Sequence, residues 1–198
     1  MDMHSDVKTR TRDLIKILES ADNSPYIGEP VSQLEHALQS AFFARTRFKS
    51  TTITLSALLH DIGHLLANGH DQMDDLGTLE HEGVGARYLK SLGFSDAVCH
   101  LVQSHVLAKR YLCFRKKGYH QGLSPASEQT LMWQGGPMNL DEAMRFEDDP
   151  WFETILALRM IDERAKDPTL TVPGLTDYAP VIEEHLAKNI RGGEYVIG

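Results

Sequence analysis

Apolar residues recur at three- and four-residue spacing through nearly every segment of this chain, whereas the alternating pattern of a β-strand is almost absent. The spacing predicts an all-α fold. Helices are predicted over residues 7–20, 31–47, 53–66, 80–91, 95–110, 140–146, 150–166 and 178–188. Polar stretches with Gly and Pro predict loops at 21–30 and 68–78, and a mixed region without a long helix at 115–136.

The segment 53–66 is the most apolar predicted helix, and we expect it to lie at the centre of the bundle. Its apolar run is interrupted by His60, Asp61 and His64. Burying a polar side chain without a partner costs about 2 kcal/mol or more. These three side chains therefore need partners inside the protein, and a metal ion is one such partner.

The bulk composition fits a single globular domain spanning residues 1–198. A net charge of -8 gives no general attraction for nucleic acid or for an anionic membrane, so an anionic ligand has to be held by a local cluster. No apolar run is long enough to cross a bilayer. Cys99 and Cys113 lack metal-binding spacing, which favours a reduced, cytoplasmic setting. The oligomeric state stays open.

The chain carries six candidate metal ligands, four imidazoles and two carboxylates. They are His36, His60, Asp61, His81, His105 and Asp162. This set is enough to hold two ions, because an Asp can use both oxygens and bridge them. Nitrogen and oxygen ligands suit iron, manganese or zinc, and the absence of thiolates argues against a structural zinc site. The residue types alone do not choose among these metals.

The order of these residues resembles the signature of the HD-domain superfamily, which runs His, His-Asp, Asp, with two additional His in its dinuclear members. The resemblance implies a helical bundle with a dinuclear metal centre bridged by Asp61. One ion would be bound by Asp61 with His36, His60 and Asp162, and the other by Asp61 with His81 and His105. We expect the metal and substrate site to lie within residues 26–162.

Three basic residues lie three or four positions from candidate ligands and so project on the same helix face as the ligand. The pairs are His60 with His64, His105 with Lys109, and Asp162 with Arg159. Together they predict a local site for phosphate or phosphonate oxygens. The alternative is that Lys109 and Arg159 are surface charges with buried stems, and that His64 is a packed core residue.

Two further stretches resemble a small group within the superfamily, the mixed-valent diiron oxygenases that cleave hydroxylated aminoethylphosphonates. The first is Tyr26-Ile27-Gly28-Glu29 followed by Ser32-Gln33-Leu34-Glu35-His36, and the second is Ser127 with Gln129-Thr130 and residues 134–138. The similarity covers about residues 7–186. It implies two iron ions in the Fe(II)/Fe(III) state as cofactors, with O2 as co-substrate.

The same resemblance implies roles for individual residues. Tyr26 would occupy an open iron position until substrate displaces it, and Glu29 would pair with the cationic nitrogen of the substrate. Ser127 and Gln134 would add hydrogen bonds to the phosphonate. For Glu29 a favourable position near a helix start is the alternative, and for Ser127 and Gln134 loop and cap roles fit nearly as well. The predicted substrate-binding set is Tyr26, Glu29, His64, Lys109, Ser127, Gln134 and Arg159, and the predicted catalytic set is Asp61, Tyr26 and His64.

The resemblance implies oxidative cleavage of the carbon-phosphorus bond of a 1-hydroxy-2-(trimethylammonio or amino)ethylphosphonate, a small-molecule substrate. The products would be phosphate and glycine betaine or glycine. The alternative function is a metal-dependent phosphohydrolase acting on a small phosphoester, in which a metal-activated water attacks phosphorus. A binding domain with a decayed site is hard to reconcile with a complete set of ligands. The sequence leaves open whether the substrate carries a primary amine or a trimethylammonium group. A quaternary ammonium favours a pocket with aromatic walls, but the sequence does not show which of the candidate aromatic residues line the pocket. These candidates are Tyr26, Tyr111, Phe114 and Trp133.

Overall fold

The computed structural model describes residues 3–22, 24–26, 28–66 and 80–193, so the predicted loop at 68–78 lies outside the described residues. Within these ranges the chain forms α-helices and no extended strand, which confirms the predicted all-α fold. The helices are α1 (Met3–Ser20), α2 (Gln33–Phe48), α3 (Thr51–Leu59), α4 (Ile62–Leu65), α5 (His81–Leu92), α6 (Asp96–Arg115), α7 (Pro125–Trp133), α8 (Leu140–Glu147), α9 (Phe152–Arg164) and α10 (Leu175–Gly193). None of the described helices combines the length and apolar character that a membrane crossing requires.

Side-chain caps explain where several helices begin. Ser32 and Asn139 each form a capping box with a Glu three residues on, at the starts of α2 and α8. Ser95 accepts a hydrogen bond from the backbone of Val98 at the start of α6, as the sequence predicts. Gly93 ends α5 with a φ of 95°, a conformation that glycine adopts without strain.

The region 115–136 contains no long helix beyond the end of α6, as predicted, but it does contain the short helix α7, which the sequence analysis did not identify. This helix begins after the Ser124 cap with Pro125 in its first turn. Its pattern is hard to recognise from sequence because it is nine residues long and buries only Leu131. The correction matters because α7 forms one wall of the pocket described below.

Helix α3 packs against α2, α6, α9 and α10, which matches the central place expected for it. On one side lies a core cluster built from α1, α5 and α10, with Leu14, Leu89 and Tyr178 fully buried. On the other side lies a second cluster from α6, α8 and α9, which includes Leu101 and Ile155. Helices α2, α3 and α6, which lie at or next to candidate ligands, contribute residues to both clusters.

Candidate metal centre and substrate pocket

The predicted helix 53–66 is broken at the His-Asp pair, which corrects the expectation of one continuous helix. Helix α3 ends at Leu59 and α4 begins at Ile62. Between them Asp61 has φ -99° and ψ 8°, in the sparsely populated bridge region of backbone conformations. At this break the Asp61 carboxylate faces candidate ligands from α2, α5 and α6 at once.

The four imidazoles form two pairs. The Nε2 atoms of His36 and His60 are 3.1 Å apart, and so are those of His81 and His105. Two ligand atoms at neighbouring positions on one metal ion, each about 2.1 Å from it, are about 3 Å apart. The spacing within each pair therefore fits one ion per pair.

Hydrogen bonds to carbonyl groups fix the tautomer of three of these imidazoles. The Nδ1 atoms of His36, His60 and His105 donate to the carbonyls of Ala165, Ala57 and Val102 at 2.8, 2.8 and 2.7 Å. In their neutral forms these rings must then present the lone pair of Nε2 to the centre. For His36 and His60 the two facing lone pairs repel each other, so a proton or a metal ion has to lie between them.

Asp61 lies between the two pairs, with one oxygen toward each. Its Oδ2 is 3.3 Å from Nε2 of His60 and 3.7 Å from that of His36. Its Oδ1 is 3.4 Å from Nε2 of His81 and 3.5 Å from that of His105. These residues form two groups of potential ligands that share Asp61, as a bridging carboxylate requires.

Asp162 completes the set on the His36 side. Its Oδ1 is 3.3 Å from Nε2 of His36 and is buried without a hydrogen-bond partner, an arrangement that a metal bond would satisfy. Burial would raise the pKa of Asp162, but the Arg159 guanidinium and the nearby imidazoles hold it well below its usual value. Asp61 is likewise held ionised: burial would raise its pKa, but the charge of His60 and the hydrogen bonds from His105, His60 and His81 together hold it well below its usual value. Both carboxylates are thus charged and ready to bind cations.

Helix α5 reaches this centre through a close crossing with α4. A Cβ atom on Gly63 would lie 1.9 Å from the carbonyl oxygen of His81, and one on Gly85 would lie 3.0 Å from a side-chain carbon of Ile62. Only glycine allows this approach at position 63. The crossing brings His81 within reach of Asp61.

A pocket opens above the ligands and is lined by all seven residues predicted to bind substrate. These are Tyr26, Glu29, His64, Lys109, Ser127, Gln134 and Arg159. It is also lined by residues that sequence reasoning did not assign, among them Gln33, Thr130 and Lys166. Lys166 lies beyond the range 26–162 in which the site was expected. Tyr111, Phe114 and Trp133, considered as aromatic walls, are not among the lining residues.

Lys109 and Arg159 are buried, with 5% and 6% of their surface exposed, which rules out the alternative that they are surface charges. Lys109 donates a hydrogen bond to the hydroxyl of Thr130 at 2.9 Å, and burial followed by the charge of Arg159 lowers its pKa to about 7. Arg159 donates to Asp162 and, at 3.0 Å, to the hydroxyl of Tyr119. One of its terminal nitrogens is buried without a partner, which suits an anionic ligand.

His64 contributes to the pocket differently from the prediction. Because the helix is broken, its ring stacks on His81 at a centroid distance of 3.9 Å instead of sharing a helix face with His60. Burial, followed by the charge of His81, lowers the pKa of His64 to about 3. It therefore offers the pocket a neutral imidazole, not the positive charge expected from its spacing.

Tyr26 and Glu29 both line the pocket, and the Glu29 amide donates a hydrogen bond to the Tyr26 carbonyl at 2.9 Å. The Tyr26 ring stacks on His36, with 4.0 Å between centroids. Burial, followed by the charges of Asp162 and Asp61, raises the pKa of its phenol well above the usual value. The carboxylate of Glu29 is paired with the ammonium of Lys166 at 2.6 Å.

Two glutamine side chains carry further unused hydrogen-bonding capacity. The Oε1 atoms of Gln33 and Gln134 are buried and have no hydrogen-bond partner. Both residues line the pocket from opposite elements, α2 and the end of α7. They are placed to give neutral hydrogen bonds to a bound ligand.

Comparison with known proteins places this arrangement in a family. A model of the HD domain matches residues 33–144, which include His36, the His-Asp pair, His81 and His105. This chain is an HD-domain protein. Asp162 lies downstream of the matched region, yet the structure brings it to the same centre.

This HD-domain chain is similar over nearly its whole length to two relatives. It is 38% identical over 175 residues to [1-hydroxy-2-(trimethylamino)ethyl]phosphonate dioxygenase (glycine-betaine-forming) from Leisingera caerulea, covering 88% of this chain and 89% of the relative. It is 40% identical over 179 residues to hydroxymethylphosphonate dioxygenase from Gimesia maris, covering 89% and 88%. This HD-domain protein therefore belongs with the phosphonate dioxygenases of the family.

Proposed function

We propose that this HD-domain protein is an iron- and O2-dependent oxygenase that cleaves the carbon-phosphorus bond of a 1-hydroxyphosphonate, such as 1-hydroxy-2-(trimethylammonio)ethylphosphonate or its primary amine analogue. The observation that carries this proposal is the near full-length similarity to two phosphonate dioxygenases. In the reaction O2 is the oxidant, the carbinol carbon becomes a carboxylate carbon, and phosphorus leaves as phosphate. The products from the two aminated substrates are glycine betaine and glycine.

Two iron ions would be held by the six ligands, one by each imidazole pair, with Asp61 between them. Bound there, the ions supply the one-electron chemistry that O2 activation needs. The protein's own part is to bind and orient the substrate. Lys109 and the unpaired nitrogen of Arg159 bind the phosphonate oxygens. Gln134 and Ser127 add neutral hydrogen bonds from the α7 wall.

The neutral imidazole of His64 and the phenol of Tyr26 line the same pocket as the candidate ligands Asp61 and Asp162. Both are held in their uncharged forms, so each can donate or accept one hydrogen bond without adding charge. They are therefore suited to orienting the hydroxyl of the substrate beside Asp61. The stacked contacts with His36 and His81 fix the two rings in place.

The experiment that tests this function measures metal content, O2 uptake and phosphate release on the purified protein. We expect about two iron ions per chain and one O2 consumed per phosphate released from at least one of the three 1-hydroxyphosphonates: the trimethylammonio, the amino and the hydroxymethyl compound. Asp61→Ala, purified in the same way, should lack both ions and the activity. Phosphate release from a phosphoester under anaerobic conditions, without O2 uptake from any phosphonate, would instead establish the phosphohydrolase alternative.

A further inference from the structure

The ion pair between Glu29 and Lys166 occupies one side of the pocket. Their side chains are 12% and 17% exposed, and the ammonium nitrogen lies 2.6 Å from the carboxylate oxygen. Three carboxylates line the pocket among the described residues, and the other two are the candidate ligands Asp61 and Asp162. Glu29 is therefore the lining carboxylate left to attract a cationic group of a substrate, and Lys166 already neutralises it.

Lys166 also engages the aromatic ring on this side of the pocket. Its ammonium nitrogen lies 5.6 Å from the centroid of the Tyr26 ring, within the range of a cation-π contact. A carboxylate and an aromatic face are the two features that bind an ammonium group in proteins. The ammonium of Lys166 thus lies where the cationic nitrogen of an aminated substrate would be recognised.

The backbone that carries Lys166 is firmly anchored. The carbonyl of Ala165 accepts the Nδ1 hydrogen bond of His36 at 2.8 Å. The backbone of Asp167 is bound on both sides by the Gln39 amide, at 2.7 and 3.1 Å. The attachment point of the side chain is fixed relative to the metal ligands, so Lys166 can leave Glu29 only by rotating its own side chain.

We infer that Lys166 is a specificity-determining residue, whose ammonium competes with the cationic nitrogen of the substrate for Glu29. This inference rests on the proposed function. A phosphonate without a cationic group, such as hydroxymethylphosphonate, binds with the ion pair intact. A trimethylammonio or amino substrate has to displace Lys166 from Glu29 and from the Tyr26 ring.

The test compares kcat/KM for the trimethylammonio substrate with kcat/KM for hydroxymethylphosphonate in the natural protein and in Lys166→Met. Methionine keeps most of the length of the side chain and removes its charge. We expect the ratio to rise about tenfold or more, through a lower KM for the cationic substrate, because a charge-assisted bond becomes available to it. Lys166→Arg keeps the competing charge and should leave the ratio near that of the natural protein.

A matched control removes an ion pair of the same length away from the pocket. Lys188 and Glu184 are 2.6 Å apart on the surface, with side chains 73% and 68% exposed. Lys188→Met should not change the ratio. Adding Glu29→Gln to Lys166→Met should abolish the gain for the cationic substrate, because the freed carboxylate is its cause.

Two readouts separate this inference from the proposed function. If no 1-hydroxyphosphonate is oxidised, the function fails, and anaerobic calorimetry of the two phosphonates still measures the affinity ratio. If phosphonates are oxidised but Lys166→Met changes neither the kcat/KM ratio nor the affinity ratio of the two phosphonates, the function stands and the role of Lys166 is overturned. Should Lys166→Met fail to fold by circular dichroism, Lys166→Gln provides the same comparison.

Discussion

Lys109 and Arg159 are both buried basic residues of the pocket, but they differ in the groups that they contact. Lys109 contacts Thr130 on α7 and makes no hydrogen bond to a candidate ligand. Arg159 donates a hydrogen bond to Asp162, which is itself one of the six ligands. The loss of each residue should therefore have a different consequence for the metal centre.

Lys109→Met should raise the KM for the phosphonate about ten- to a hundredfold with the iron content unchanged, because a charge-assisted hydrogen bond is worth about 1.5–3 kcal/mol. Arg159→Met should raise KM and also lower the iron content, since Asp162 loses the group that orients it. Steady-state kinetics and metal analysis on the same preparations check both. Equal iron loss in the two variants, or unchanged KM in both, would contradict the assignment.

Residue chemistry explains which parts of the site could be predicted from sequence. Imidazole and carboxylate groups in an apolar helix are conspicuous, and Lys109 and Arg159 lie near ligands along their own helices. Lys166 could not be recognised in this way, because its partner Glu29 is 137 positions away and no local pattern joins them. Gln33 was visible only as part of a motif, since a neutral amide carries no signal of its own.

At the scale of elements, the close crossing of α4 and α5 determines how near the backbone of His81 comes to α4. The carbonyl of His81 lies where a side chain on Gly63 would begin. This contact sets the distance between Asp61, just before α4, and His81, the first residue of α5. Among the candidate ligands, His81 is the one whose backbone meets this glycine.

Gly63→Ala should separate α4 from α5, because the new Cβ would overlap the backbone of His81. We expect a lower melting temperature and weaker binding of the ion held by His81 and His105. Gly83→Ala is the matched control on α5, where the new Cβ would meet only the end of the Arg87 side chain at 3.2 Å. That change should be neutral or slightly stabilising, by up to about 1 kcal/mol, since alanine favours a helix over glycine. Calorimetry and iron titration distinguish the two. Equal stability and iron binding in both variants would mean that the crossing does not position His81.

The element boundaries show where periodicity stops being informative. Apolar spacing runs unbroken across 53–66, so the pattern predicts one helix there. The break at the His-Asp pair lies where the Asp61 side chain contacts α2, α5 and α6, and no local pattern reveals these contacts because the three helices are remote in sequence. Helix α7 is hard to predict for a different reason: only Leu131 is buried, so the helix has no apolar stripe. Both differences lie at the site, but tertiary contacts accompany only the break at the His-Asp pair.

For the molecule as a whole, the helices at the candidate metal centre also build the two core clusters: α5 contributes to the first, α9 to the second, and α2, α3 and α6 to both. In the metal-free protein burial alone would lower the pKa of His60, but the Asp61 carboxylate raises it to about 9. A proton then takes the place of the ion between His36 and His60. Because the folded-state pKa lies above the ordinary value of 6.5, the stability from this proton is present below pH 6.5 and is lost as pH rises through about 9.

Removal of the metal should therefore cost more stability at high pH. We expect the difference in melting temperature between the metal-loaded and chelated proteins to increase from pH 6.5 to pH 9, because the ion replaces the proton and does not leave. Scanning calorimetry of both forms at the two pH values measures this. Taking the difference cancels the titration of groups remote from the ligands. A difference that stays constant or shrinks would contradict the expected proton exchange at His60.

The anchoring of residues 165–167 has a consequence for how such proteins diverge. His36 depends on the carbonyl of Ala165, whereas the charge on one side of the pocket depends on the neighbouring side chain of Lys166. A mutation at position 166 can alter that charge while the peptide carbonyl that orients the ligand remains. Substrate preference can thus drift by single substitutions in descendants of one ancestor without the metal chemistry being rebuilt.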